Sequence, residues 1–300
     1  MSAFTEANRT AFNDLAGSYH SKPWQQNLSR QVSEALQQRL HWLGVDWSTV
    51  ESRREGREVK LLDYACGTGN ITMALGPYVS QIRGIDVSES MVEEYNRAAL
   101  SSGLRPDQAH AVVGDLIAET SSTAFEGPEW HDFDIAVVGL GFHHFEDPGR
   151  AVKRLTERLN PGTGVLVIVD FIPSSHSQNQ LKATIAEGQG PSPSSSSASG
   201  SMPDMSSTIH KDGFEHHEMS ALFSEAGLES FEWSVLDEES VMRLSSETKV
   251  RRVFVARGRK AETASQKFWV WIGGKADMAR EQLNTTVRRD GPAKTWSSFG

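Results

Sequence analysis

An apolar run from Val59 to Leu62 stops at Asp63, and small residues follow at Ala65, Gly67 and Gly69. Small residues let the backbone approach a ligand where a Cβ would block it. A second apolar run, Ile82 to Val87, carries Asp86, an acid about 20 residues on, where a carboxylate suits the two hydroxyls of a ribose. One glycine turn alone implies no more than a strand–turn–helix. The order acid, small-residue turn, second acid implies a nucleoside-binding α/β enzyme. A dinucleotide fingerprint needs a third glycine for close helix–strand packing, and here the register gives Ala65, Gly67 and Asn70. No G-x-x-x-x-G-K-[ST] run is present, which removes the phosphate-cradling nucleotide hydrolases.

Histidines are the second set. His143 and His144 follow a strand-like run, Phe133 to Val138, and ligands of open α/β sheets gather at the carboxyl ends of strands. Imidazole also changes charge near neutral pH. Both are catalytic candidates, to orient an acceptor or take its proton, with a loop-capping role as the alternative. His210, His216 and His217 join them if residues 209–214 fold over the site. No histidine pair has the i, i+4 spacing of a helical metal site, so no metal is expected. Cys66, inside the turn, reads as a small buried filler.

The elements that must position these residues follow from periodicity. Strand and helix patterns alternate from 59 to 172, which implies right-handed crossovers and a parallel sheet with helices on both faces. The helix after the second strand shows Met91, Val92, Tyr95 and Ala99 on one side, with Ser88 or Ser90 as N-cap. The helix after the fourth strand opens on Asp147 and Pro148 and stops at Asn160-Pro161-Gly162. Residues 5–43 read as helical, with Val32, Leu36, Leu40 and Leu43 on one face. Residues 188–208 hold nine serines in 21 positions and imply a flexible insertion. A helix with Met219, Leu222, Phe223 and Ala226 inward then stops at Gly227. Two strands follow, Leu228 to Leu236 and Lys249 to Val255, close enough in sequence to pair antiparallel.

With D-x-A-x-G-x-G at 63–69, the chain resembles the class I S-adenosylmethionine-dependent methyltransferases, whose first motif is [DE]-x-G-x-G-x-G. Ala65 stands where the family has its first glycine. Gly84-Ile85-Asp86-Val87-Ser88-Glu89-Ser90-Met91, Gly114-Asp115-Leu116, His143-His144-Phe145-Glu146-Asp147-Pro148 and Leu159-Asn160-Pro161-Gly162 resemble later family segments in the family's order. The match spans roughly residues 10–257 and is similar to the small-molecule and ubiquinone-biosynthesis branch. The resemblance implies S-adenosylmethionine as cofactor and S-adenosylhomocysteine as product. It places Asp63, Ala65, Gly67 and Gly69 beside the cofactor, Asp86 on the ribose, Met91 near adenine, and Asp115-Leu116 at the adenine amino group. Phe12 to Tyr19 resembles a lid element, F-x-x-x-A-x-x-Y, with Tyr19 as donor to the methionine carboxylate and Trp24 as wall or core cap. The implied fold is α/β: a doubly wound, mostly parallel seven-stranded sheet with an antiparallel C-terminal strand.

Three hundred residues at 38% apolar content can bury one large α/β core. The expected organisation is a helical lid at 1–55, a methyltransferase domain at 56–257 and a tail at 258–300. That tail carries eight Lys/Arg against four Asp/Glu and an apolar patch at Phe268, Trp269, Trp271 and Ile272. A net charge of −9 argues against nucleic acid, which requires a concentrated basic surface. One cysteine allows no internal disulfide, and no apolar run is long enough to span a bilayer. The expectation is a cytoplasmic enzyme that methylates an O or N atom of a small molecule. The alternative is a non-catalytic binding protein that keeps the nucleoside pocket, with the tail and serine-rich segment as interaction surfaces.

Overall fold

Every side chain from Val165 to Phe171 is buried, the pattern of a strand covered on both faces. A computed structural model describes residues 1–119, 123–174, 208–243 and 248–263, with 52 and 53 as backbone only. Five parallel strands, β1 (Lys60–Tyr64), β2 (Gln81–Asp86), β3 (Ala109–Val113), β4 (Ile135–Gly139) and β5 (Val165–Phe171), form the body of a sheet. Beyond them come β6 (Leu228–Val235), a separate hairpin of β7 (Ser240–Arg243) and β8 (Thr248–Arg251), and β9 (Val253–Lys260). The seven-stranded order is β3-β2-β1-β4-β5-β9-β6, with β9 antiparallel to both neighbours. This is the doubly wound sheet with an antiparallel C-terminal strand that the sequence implies.

Neighbouring residues of each strand point to opposite faces, and the core divides accordingly. Leu61, Val137 and Val167 join one cluster, with Val32, Leu36, Ala74 and Tyr95. Leu62, Ala136, Val138 and Ile168 join the other, with Leu155, Phe214 and Phe223. The helices are α1 (Ala3–Leu15), α2 (Pro23–Gln38), the short α3 (Leu40–Leu43) and α4 (Val50–Arg54), α5 (Asn70–Leu75), α6 (Glu89–Ser101), α7 (Pro148–Glu157) and α8 (His216–Glu225). Ser88 caps α6, its Oγ accepting from Met91 N at 3.1 Å. Asp147 caps α7, accepting from Arg150 N at 2.8 Å. Gly227 ends α8 region with φ +78, the left-handed conformation typical after a helix.

Two elements differ from expectation. The helical stretch at 5–43 is broken between Ala16 and Lys22, where a single tight turn and Pro23 end one helix and start the next. Proline fits the first turn because its missing N–H has no partner there. The strand expected at Lys249–Val255 is divided between β8 and β9. Arg251, at the break, is drawn into ion pairing with Asp212 at 2.5 Å and stacking on Phe171 at 4.8 Å, so an edge hairpin precedes the central strand. A compact unit spans Met1–Ala261, and Glu262–Gly300 forms a second. The serine-rich segment except Thr208, and the tail patch at 268–272, lie outside the described residues.

Strand order reverses between β1 and β4: the chain winds outward from β1 through β2 to β3 and returns to β4 on the other side. Carboxyl ends of strands diverge at such a point and leave a crevice.

Candidate functional site

A cavity of about 750 Å³ occupies that crevice, within the size range of small-molecule sites. Its floor is the turn after β1. Ala65, Gly67 and Gly69 all have positive φ, at +53, +50 and +93. The left-handed conformation costs an L-residue roughly 1–2 kcal/mol, so Ala65 bears a modest strain that a glycine would not. A Cβ on Gly67 would meet no protein atom within 4 Å, and Gly67 lines the cavity. This is the place for close backbone approach.

Asp86, 8% exposed at the end of β2, forms the ribose end. Its Oδ2 accepts from Gly67 N at 2.8 Å and its Oδ1 from Ser88 N at 2.9 Å. Burial pushes its carboxyl up, and those backbone donors oppose the shift. A carboxylate oxygen can accept more than one hydrogen bond, so these backbone donors leave capacity for a ligand. Asp115 stands beyond β3. Ile117 N, Ala118 N and Tyr64 OH all donate to its Oδ1, at 2.9, 3.1 and 3.3 Å, which leaves Oδ2 for a ligand. Met91 and Tyr19 also line the cavity.

Three expected cofactor residues stand outside the lining. Asp63 is fully buried beneath the turn. Its Oδ2 accepts from Thr72 N and Thr72 Oγ1 at 3.1 and 2.7 Å, so it pins α5 rather than meeting a ligand. Burial raises its carboxyl to about 7, despite the Thr72 bonds. Gly69 is the N-cap of α5, and a Cβ there would stand 3.0 Å from the Tyr95 ring; its constraint is packing. Leu116 is buried in the core, and its neighbours Ile117 and Ala118 line the cavity instead.

The two histidines separate. His144 lines the cavity, and its Nδ1–H donates to Thr208 O at 2.7 Å. That bond fixes the tautomer and leaves Nε2 as an acceptor. Burial and the neighbouring His143, ring to ring at 4.1 Å, push its proton affinity down to about 3. His143 points away from the cavity to buried Asp170, with Nδ1 at 2.8 Å from Oδ1 and its backbone N–H donating to Oδ2 at 3.0 Å. Burial would raise Asp170, but the charge and hydrogen bonds of His143 hold it below the usual range. His143 O accepts from His210 N and Lys211 N at 3.0 and 3.2 Å, so this histidine ties the 208–211 segment to the sheet. His216 packs on Phe231 and Trp233, and exposed His217 pairs with Glu215. None of these three lines the cavity. Trp24 packs on the core. Cys66 does line it, its thiol pushed well up by burial. No group of three metal-ligating side chains occurs among the described residues.

The sequence gives weaker notice of the roof. Thr5, Asn8 and Phe12 of α1 line the cavity with its N-cap Ser2, at the three- and four-residue spacing of one helix face. Only Phe12 belonged to a legible motif. Two contacts seat α1 on the start of α6: Arg9 binds Glu89 through two nitrogens, and Asn13 Oδ1 accepts from Ser88 Oγ and Ser90 N at 2.6 and 3.1 Å.

A family model described as a methyltransferase domain matches residues 62–165. An uncharacterized methyltransferase of Schizosaccharomyces pombe is 33% identical over 127 residues, 42% of this chain and 44% of that protein. The ubiquinone/menaquinone biosynthesis C-methyltransferase UbiE of Shewanella sediminis is 27% identical over 129 residues, 43% of this chain and 49% of that protein. The chain thus spans about half the length of the curated relatives it matches. Among solved structures, magnesium protoporphyrin IX methyltransferase from Synechocystis PCC 6803, with bound SAH, superposes with a TM-score of 0.51 at 14% identity, over 85% of this chain and 99% of that one. That likeness is one of fold.

Proposed function

We propose that this chain is a class I S-adenosylmethionine-dependent methyltransferase that transfers a methyl group to an O or N atom of a small molecule. The observation that carries the reading is the convergence of Gly67, Asp86, Asp115 and His144 on one cavity at the strand-order reversal. These residues fit S-adenosylmethionine: Asp86 for the ribose hydroxyls, Asp115 Oδ2 for the adenine amino group, the open face of Gly67 for the methionine portion. Bound there, the sulfonium supplies an already activated methyl group.

The chain's own part is then placement. Residues of α1, with Tyr64 and Phe145, line the cavity and would shield bound reactants from water, and an in-line nucleophile needs mainly correct distance and direction. His144, with Nε2 as acceptor and a proton affinity near 3, suits orientation of the acceptor better than proton removal at neutral pH. His143 acts behind it, holding the loop. The relative named as a C-methyltransferase favours a carbon acceptor as second reading. The test is release of S-adenosylhomocysteine with candidate acceptors drawn from metabolites that differ between deletion and parent strains, followed by location of the new methyl group. Cofactor binding without turnover on any of them would favour the non-catalytic alternative.

A further inference from the structure

β5 is apolar and buried from Val165 to Val169, yet the next residue, Asp170, is a carboxylate with no exposed surface. A buried charge is costly unless it is paired and hydrogen-bonded, so an acid in this strand calls for a reason. Asp170 does not belong to the cavity lining. Phe171 N donates to its Oδ1 at 2.7 Å. Two further bonds come from one residue in the loop after β4: His143 Nδ1 lies 2.8 Å from Oδ1, and His143 N donates to Oδ2 at 3.0 Å. An ionised carboxylate only accepts, so His143 Nδ1 carries the proton.

The loop so held is a demanding one. Leu140 takes φ +60, a left-handed conformation that is uncommon away from glycine, and a tight turn from Phe142 to His144 follows. Strained backbone of this kind persists only where its surroundings hold it. His144 leaves the turn into the cavity, with its ring 4.1 Å from the ring of His143 and its Nδ1 bonded to Thr208 O at 2.7 Å. The setting of His144 therefore depends on both the backbone and the ring of His143. Asp170 holds both.

We infer that Asp170 is a positioning residue for methyl transfer: by holding the imidazole and the backbone N–H of His143 together, it fixes the turn from which His144 presents Nε2 to the methyl acceptor. This rests on the methyltransferase reading of the site. The backbone bond alone would secure the turn. The bond to the imidazole also fixes the ring that lies against His144, and a misplacement of about 1 Å in a reacting assembly can cost on the order of a hundredfold in rate.

Two sets of substitutions in the full chain separate positioning from mere anchoring. Asp170→Asn keeps the shape and one acceptor oxygen but cannot accept from both His143 donors. His143→Asn retains a side-chain N–H for Asp170, and His143→Leu does not. Ring nitrogens are observed by NMR of the 15N-labelled proteins at neutral pH, with His144 assigned from His144→Gln. The wild type should show one His144 tautomer, protonated at Nδ1. Asp170→Asn and His143→Leu should mix the tautomers, and His143→Asn should recover most of the single state. S-adenosylhomocysteine affinity, read by calorimetry, should be the same in all, because no bond to the cofactor is removed. With an acceptor whose methylation releases S-adenosylhomocysteine, kcat should fall roughly tenfold to hundredfold in Asp170→Asn and His143→Leu, with KM for S-adenosylmethionine unchanged. A single His144 tautomer or an undiminished kcat in either variant, once thermal melts show it folded, would overturn the proposal. So would a failure of His143→Asn to recover the wild-type state. Should Asp170→Asn not fold, the two His143 variants decide alone. A wild-type chain that does not bind S-adenosylhomocysteine gives a different result: the methyltransferase reading fails, and the ring signals still show whether Asp170 sets His144.

Discussion

Asp63 and Asp86 look alike in sequence, two acids each closing an apolar strand, yet the structure divides their work. Asp86 faces the cavity and also holds Gly67 N and Ser88 N. Asp86→Ala should weaken S-adenosylhomocysteine binding by about 2 kcal/mol, the scale of hydrogen bonds to a charged group. Calorimetry that finds unchanged affinity in a folded variant would remove the ribose assignment. Asp63 instead carries a pH signature. Its folded-state value of about 7 lies above the ordinary 3.8, so the folded chain keeps a proton that the unfolded chain releases. Stability from this group is complete below pH 4 and falls as pH rises through 7, by on the order of a few kcal/mol. Asp63→Asn keeps an acceptor for Thr72 and cannot ionise. Urea midpoints at pH 5 and pH 8 should therefore fall further in the wild type than in the variant, and parallel curves would show Asp63 already ionised in the fold.

At the scale of elements, α1 depends on how it is attached. The Arg9–Glu89 pair is 32% and 42% exposed, and ion pairs so exposed contribute little. Asn13, by contrast, bonds to fully buried Ser88. Asn13→Ala should therefore loosen α1 more than Arg9→Ala does. Hydrogen exchange of residues 3–15 should quicken, and S-adenosylhomocysteine should dissociate roughly tenfold faster, if about 1.4 kcal/mol is lost from the docked helix. Equal exchange in the two variants would return the attachment to the ion pair. The Arg9 bond, then Asn13, hold Glu89 at about 2. Its contribution is present above the ordinary 4.5 and is lost as pH falls toward 2, so α1 should stay docked between pH 5 and 8.

Taken whole, the unit from Met1 to Ala261 forms its cavity between elements far apart in the chain: the β1 turn, the ends of β2 and β3, the β4 loop and α1. A ligand that bridges these should stabilise the native state as a unit. At a concentration 100 times its Kd the gain is about 2.7 kcal/mol, which for a chain of this size corresponds to a thermal midpoint raised by roughly 5–10 °C. Scanning with S-adenosylhomocysteine should show that shift and the reduced nicotinamide cofactor should not. A shift with the nicotinamide alone would reverse the choice of nucleoside.

The parallel sheet and the small-residue turn that floors the cavity were legible in the sequence alone, as was the likeness to a methyltransferase domain. Strands buried on both faces must be continuously apolar, and a backbone that approaches a ligand must be built of small residues. Both constraints act over a few neighbouring positions, so Val59–Gly69 and Ile82–Asp86 show them directly. Which acid faces the cavity was not legible, because Asp63 and Asp86 differ only in what β4, α5 and α6 place around them. The two adjacent histidines likewise separate only through Asp170 and Thr208, 27 and 64 positions away in sequence. Asn8 carries no local signal. Its place in the cavity lining arises only when α1 is laid across the end of the sheet, and that placement is decided by long-range packing.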